Sequence, residues 1–205
     1  MAEKNKLDRV AIRMVEEPPI YSKYPIKSPN DAVAVIGDLL REMDREMICV
    51  INLKTNGIPI NCDIVSVGSL NYSLVHPREI LKSTVLSNAA SVILVHNHPS
   101  GSPQPSLEDL EITRRMIDLY ELMDIPLLDH VIIGSKETGN YSMLEHGEIN
   151  NLKAQFKRNW QEWQEGALRG VRESGEDGCY QASAGKEKIR AQPPEKVCKH
   201  MRRSL

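Results

Sequence analysis

Between residues 96 and 109 the chain reads HNHPSGSPQPSLED, a stretch rich in side chains that bind metals or move protons. His96 and His98 flank a single asparagine at the end of the apolar run SVILV. In an extended strand, residues i and i+2 point to the same face, so the two imidazoles stand side by side, as rings sharing one ion require. A lone histidine beside a core strand is ordinarily just hydrogen-bonded; the pair makes a metal the competing explanation. Ser106 and Asp109 also have an ordinary reading, because Ser-x-x-Asp after a proline resembles a capping box with the carboxylate near the positive end of a helix. Helical periodicity asks for more. It sets Asp109 on one face with Ile112, Met116, Leu119 and Met123, and a carboxylate turned toward a core is costly unless it is paired or bound to a cation. The loop PSGSPQP supplies the turn that brings the helix start back to the strand end. Two imidazole nitrogens and one carboxylate oxygen then make a three-ligand zinc site with an open fourth position. Water in such a position falls in pKa from about 15.7 to roughly 7.

A hydrolytic site of this kind also needs a proton acceptor. Glu46 is the candidate, since it begins the run EMICVINL and shares a strand face with Ile48 and Val50. Its plainer reading is a solvated residue in the charged stretch REMDREM, and Glu42, Glu79, Glu108 and Glu111 compete on composition alone.

The elements that must position these groups follow from periodicity and turn chemistry. Ser28-Pro29-Asn30-Asp31 signals a helix start, and Val33, Ile36, Leu39, Leu40 and Met43 continue it at helical spacing. A β-branched strand over 46–53 meets a partner strand over 61–70 through a hairpin at Asn56-Gly57. Pro77 opens a helix to about residue 88; a buried strand spans 91–98, a long helix 106–123 and another buried strand 127–134, with NYSMLE as a further short one. Strands alternating with helices give an α/β or α+β sandwich.

The 205 residues accommodate one medium domain plus a tail, and the hydrophobic fraction of 40% is ordinary for a globular protein. A net charge of −2 with only 4% aromatics argues against a whole-molecule nucleic-acid binder. The apolar runs are too short to cross a bilayer, and MAEKNKLDRV leads into no signal-peptide core, so the expected location is the cytoplasm. Cys49, Cys62, Cys179 and Cys198 form no CxxC pair, which disfavours a cysteine zinc site or a disulfide framework, and Cys49 reads as a small buried hydrophobe. From residue 151 onward 12 Lys+Arg face 7 Asp+Glu, whereas the rest of the chain holds 14 against 21. The expected organisation is an arm over 1–27, a domain over 28–149, and a basic helical or partly disordered tail over 150–205 that is separable from the fold. Phe156, Trp160, Trp163 and Leu168 recur in the tail at near-helical intervals.

His96-Asn97-His98, seven residues, Ser106, two residues, Asp109 resembles the H-x-H-x7-S-x2-D signature of JAMM metalloenzymes in the JAB/MPN domain class. The wider text, VGSLNYSLVHPREI with SNAASVILVHNHPSG and LLDHVIIG, is similar to the RadC-like branch of that class, over roughly residues 28–146. The resemblance implies a cytidine-deaminase-like fold with a central mixed sheet flanked by helices. It implies Zn2+ held by His96, His98 and Asp109, with Glu46 as general base and Ser106 hydrogen-bonding the developing oxyanion or the water on the metal. The implied activity is metallopeptidase hydrolysis of a peptide or isopeptide bond in a peptide or protein substrate. Substrate identity and oligomeric state do not come with it.

A nucleobase deaminase wants H-x-E and a PCxxC pair, but position 98 is His and no CxxC exists. An HNH nuclease draws its residues from a longer strand–loop–helix, so the three adjacent letters are coincidence. The remaining alternative is a non-catalytic MPN-type scaffold or DNA-repair-associated binding protein, docking through its basic tail on an acidic protein or DNA. The complete ligand set favours the enzyme.

Overall fold

The computed structural model describes residues 20, 22, 24–67, 76–173, 179–180 and 189–190. Most of the 1–27 arm, the end of the 61–70 segment, the SLNYSLV portion of the family-like text and most of the tail beyond 173, with Cys198, lie outside these residues.

Four helices and a five-stranded mixed sheet follow the expected order: α1 (Pro29–Arg41), β1 (Met47–Leu53), β2 (Pro59–Val67), α2 (Pro77–Leu86), β3 (Ser91–Asn97), α3 (Leu107–Leu122), β4 (Leu127–Ile133), β5 (Asn140–Ser142) and α4 (Glu148–Glu173). The sheet runs β2-β1-β3-β4-β5 and is antiparallel except for the parallel pair β3–β4. Parallel neighbours need a long crossover, and α3 supplies it. The chain therefore leaves the end of β3, turns, and starts α3 close to the strand it has just left. A further pair, β6 (Cys179–Tyr180) with β7 (Ile189–Arg190), is antiparallel. The chain divides into units Met1–Lys153 and Ala154–Leu205.

Strand alternation sorts the first unit's core into two layers. Met47, Cys49, Ile51 and Leu53 of β1, Ile93 and Val95 of β3, and Val131 and Ile133 of β4 pack with Ala32, Ile36 and Leu40 of α1. Val50, Val92, Leu94 and Ile132 face the other way, onto Ile80 of α2 and Met116, Ile117 and Tyr120 of α3, with Ile149 at the start of α4. Cys49 is fully buried, and its thiol lies 2.9 Å from that of Cys62 on the neighbouring β2, a residue that pairs with Ile51 of β1. Ile26 is buried as well and donates its N–H to Gly57, the hairpin residue that takes positive φ. The aromatic run Phe156, Trp160 and Trp163 forms a stack along α4 within the second unit.

In α3 the buried stripe is Asp109, Thr113, Met116, Ile117 and Tyr120. The expected face through Ile112, Leu119 and Met123 is rotated from it: Ile112 and Leu119 are partly buried and Met123 is exposed. The i+4 and i+11 positions, Thr113 and Tyr120, replace them, because each hydroxyl finds a partner inside, Thr113 on the Asp109 carbonyl and Tyr120 on Thr84. No helix among the described residues is long and apolar enough to cross a membrane.

Candidate metal centre

Three consecutive decisions of the backbone build the site. The first is register. β1 and β3 pair antiparallel up to Ile48 opposite His96, and just beyond that pair the Met47 N–H reaches the Asn97 side chain, with Glu46 and His98 one residue further along each chain. Side chains two apart share a face, which places Glu46, His96 and His98 on the α3 side. The second is the turn after β3. His98 accepts the Gly101 N–H at its carbonyl, and Gly101, at positive φ with a Cβ position only 3.2 Å from Ser135 Cβ, lets the loop reverse close to the 134–139 segment. The third is the cap of α3. Ser106 is the N-cap, its Oγ accepting the Asp109 N–H at 3.1 Å and donating to Asp109 Oδ2 at 2.6 Å, while the Ser106 N–H also reaches Oδ2 at 2.7 Å. Capping thus engages Oδ2 and leaves Oδ1 directed at the strand end. The capping role and the inward-facing role of Asp109 coexist.

The result is a cluster in which one ligand atom each from Glu46, His96, His98 and Asp109 lie within 4.8 Å of one another. His96 Nε2 is 2.9 Å from His98 Nε2 and 3.2 Å from Asp109 Oδ1, and His98 Nε2 is 3.3 Å from Asp109 Oδ2. Bonds of about 2.0–2.1 Å in a tetrahedral zinc site leave neighbouring ligand atoms roughly 3.3 Å apart, so the spacing suits one shared ion. His96 is wholly buried, Asp109 nearly so, and Glu46 and His98 are half-buried at the mouth. Glu42, Glu108, Glu79 and Glu111 are not in this cluster; the last two pair with Lys82 and Arg114 on the surface.

His98 Nδ1 donates to the Ser102 carbonyl at 2.8 Å, so in the neutral ring its Nε2 lone pair faces His96 and Asp109. Asp109 raises the pKa of His98 above the ordinary histidine value, against the opposing effect of burial. Burial works to raise the Asp109 carboxyl, but the facing imidazoles of His96 and His98 reverse this and hold it well below the usual carboxylate range. Lone pairs and a carboxylate converging in a buried corner favour a proton or a metal ion among them. The donor set, two imidazoles and a carboxylate, is one that zinc accepts.

Three residues that sequence reasoning missed hold the cluster in place. Asn97, between the two histidines, points to the opposite face, where its Oδ1 accepts the Met47 N–H at 2.8 Å and its Nδ2 donates to the Arg45 carbonyl at 3.0 Å. Both neighbours of Glu46 are thereby pinned by one side chain. Behind His96 lies His130 of β4, Nδ1 of one ring 2.8 Å from Nε2 of the other, and behind His130 lies Thr113 at 2.6 Å. Burial foremost, and then the neighbouring His96, push the His130 pKa well down. The signals were a histidine inside the apolar run LLDHVIIG and a threonine one turn after Asp109.

The RadC-like JAB domain model matches residues 26–148, more than half of the chain. Among curated relatives, a UPF0758 protein of Clostridium acetobutylicum is 48% identical over 114 residues, covering 56% of this chain and 50% of its own length. One from Methanosarcina acetivorans is 44% identical over 131 residues, 64% of this chain and 54% of its own. One from Syntrophomonas wolfei is 50% identical over 113 residues, 53% of this chain and 48% of its own. The chain thus spans about half the length of these relatives. The open mixed sheet with its flanking helices is the JAB/MPN type of fold, and the chain belongs to the RadC-like JAB domain family.

Proposed function

We propose that this chain is a zinc-dependent metallopeptidase that hydrolyses a peptide or isopeptide bond in a peptide or protein substrate. The observation that carries the reading is the convergence of Glu46, His96, His98 and Asp109 onto one point; the JAMM-like spacing covers His96, His98 and Asp109, with Glu46 outside it. His96, His98 and Asp109 would hold the ion. Zinc supplies Lewis-acid polarisation of the scissile carbonyl and a lowered pKa for water. Glu46, at the half-exposed mouth, takes a proton from the attacking water and delivers it to the leaving amine as the C–N bond breaks. The closeness of its carboxylate to the other three ligand atoms and the Asn97 clamp on both its neighbours favour this assignment over the plainer surface role. Ser106 orients Asp109 through Oδ2; its hydroxyl, exchanging that partner for the carbonyl oxygen of the substrate, stabilises the developing oxyanion.

Glu46→Gln separates chemistry from metal binding. The variant should retain about as much zinc as the parent and lose peptide cleavage when proteome-derived peptides and folded protein substrates are compared by product mass. Cleavage at the parental rate would remove Glu46 as the base. Zinc held by both proteins with no cleavage by either would instead assign a scaffold.

A further inference from the structure

The buried chain behind His96 is used by neither the ligand set nor the proton transfer. It runs from His96 Nδ1 to His130 Nε2 at 2.8 Å, from His130 Nδ1 to Thr113 Oγ1 at 2.6 Å, and from Thr113 Oγ1 to the backbone carbonyl of Asp109 at 2.5 Å. All three side chains are fully buried, so no water competes for their protons. The last link fixes the direction of every other. A carbonyl oxygen only accepts, so the single Thr113 proton belongs to Asp109; the Met143 sulfur, 3.4 Å away, is a far weaker acceptor. Thr113 Oγ1 must then accept from His130, which puts the His130 proton on Nδ1 and leaves Nε2 as an acceptor. His96 must in turn donate from Nδ1, and its Nε2, the atom facing His98 and Asp109, is left bare.

We infer that Thr113 and His130 are positioning residues that lock His96 in the tautomer carrying its proton on Nδ1, so that Nε2 is presented as a lone pair to a divalent cation. The relay starts on one metal-ligand candidate and ends on the backbone of another, Asp109, whose carboxylate completes the same cluster. It therefore ties the orientation of the His96 ring to the first turn of α3. A second consequence is that His130 itself stays out of the ligand set: its Nε2 lone pair is occupied by His96, and it acts only through that ring. Outer partners of this kind typically contribute about 10–100-fold to metal affinity.

This inference deepens the metal reading of the preceding subsection, and two readouts keep the failures apart. The first needs no metal: long-range nitrogen–proton correlation spectra of the zinc-free 205-residue chain at mildly alkaline pH report which ring nitrogen of His96 carries the proton. The parent should show the Nδ1–H form. Thr113→Val, which removes the hydroxyl at nearly constant volume, frees His130 to donate from Nε2 and should shift His96 toward the Nε2–H form. The second readout is zinc affinity by chelator competition. His130→Phe should weaken zinc by about 10–100-fold. His130→Gln, whose side-chain carbonyl reaches the position of Nε2, should recover most of that loss. Thermal melts show whether a variant is folded, and Thr113→Val carries the test should His130→Phe fail to fold. An Nε2–H tautomer in the parent, or parental zinc affinity in both His130→Phe and Thr113→Val, would overturn the relay. A parent that shows the Nδ1–H form and binds no zinc would sink the metal reading and leave the tautomer lock standing.

Discussion

The two faces of the sheet are made from alternate residues of the same strands, yet they differ in kind. On the α1 face, Ile36, Leu40, Ile51, Leu53, Val95 and Val131 form a mainly apolar layer, with Asn97 and Asp129 as its buried polar members. On the α3 face, Leu94 and Ile132 share their layer with His96, Asp109, Thr113 and His130, all buried. The apolar layer fixes where the strands lie, and the polar layer depends on that placement, because each of its groups has a partner on a different element. Apolar core thus packs on both faces, whereas the candidate metal cluster is confined to one parity of the sheet.

Substitutions on the two faces should therefore fail differently. Asp109→Ala should have the largest effect, reducing bound zinc to background in metal analysis. It should also cost about 1 kcal/mol in denaturant unfolding through loss of the α3 capping partner; full zinc occupancy would break the contrast. Ile51→Ala, on the α1 face, should lower unfolding free energy by about 2–5 kcal/mol while the folded protein keeps its zinc stoichiometry. Zinc lost in proportion to stability would mean that the two layers are not separable. Saturating zinc should stabilise the parent by about 2.7 kcal/mol when present at a hundredfold excess over its dissociation constant, with no gain for Asp109→Ala. Asn97→Ala should cost the fold about 1–3 kcal/mol by leaving the Met47 N–H without its partner. It should preserve zinc and depress hydrolysis, since the Glu46 backbone loses both anchors; hydrolysis at the parental rate would confine Asn97 to a structural role.

The division between local and distant contacts also explains what could be read in advance. His96, His98, Ser106 and Asp109 lie within one strand–turn–helix passage, where strand parity and helix capping are enough to converge them. The element order was legible for the same reason, with boundaries shifted by a few residues: α1 ends at Arg41, short of Asp44, and β1 starts at Met47, just after Glu46. Glu46 is different. Its place beside His98 follows from the β1–β3 register, a pairing between segments about fifty residues apart that no local pattern specifies. His130 reaches His96 only through the parallel β3–β4 pairing. Thr113 was hidden because a polar residue reads as solvent-facing, whereas its proton goes to a carbonyl of its own helix and its oxygen receives a buried ring.

X-ray absorption at the zinc edge of the zinc-loaded 205-residue chain tests the central claim most directly. The expected result is one zinc per chain with two imidazole nitrogens and oxygen neighbours at about 2.0–2.2 Å, both imidazole signals falling in His96→Ala. A sulfur neighbour at about 2.3 Å would move the ion to the adjacent Cys49 and Cys62 thiols, and that outcome, or a protein that holds no zinc at all, would contradict the assignment of His96, His98 and Asp109.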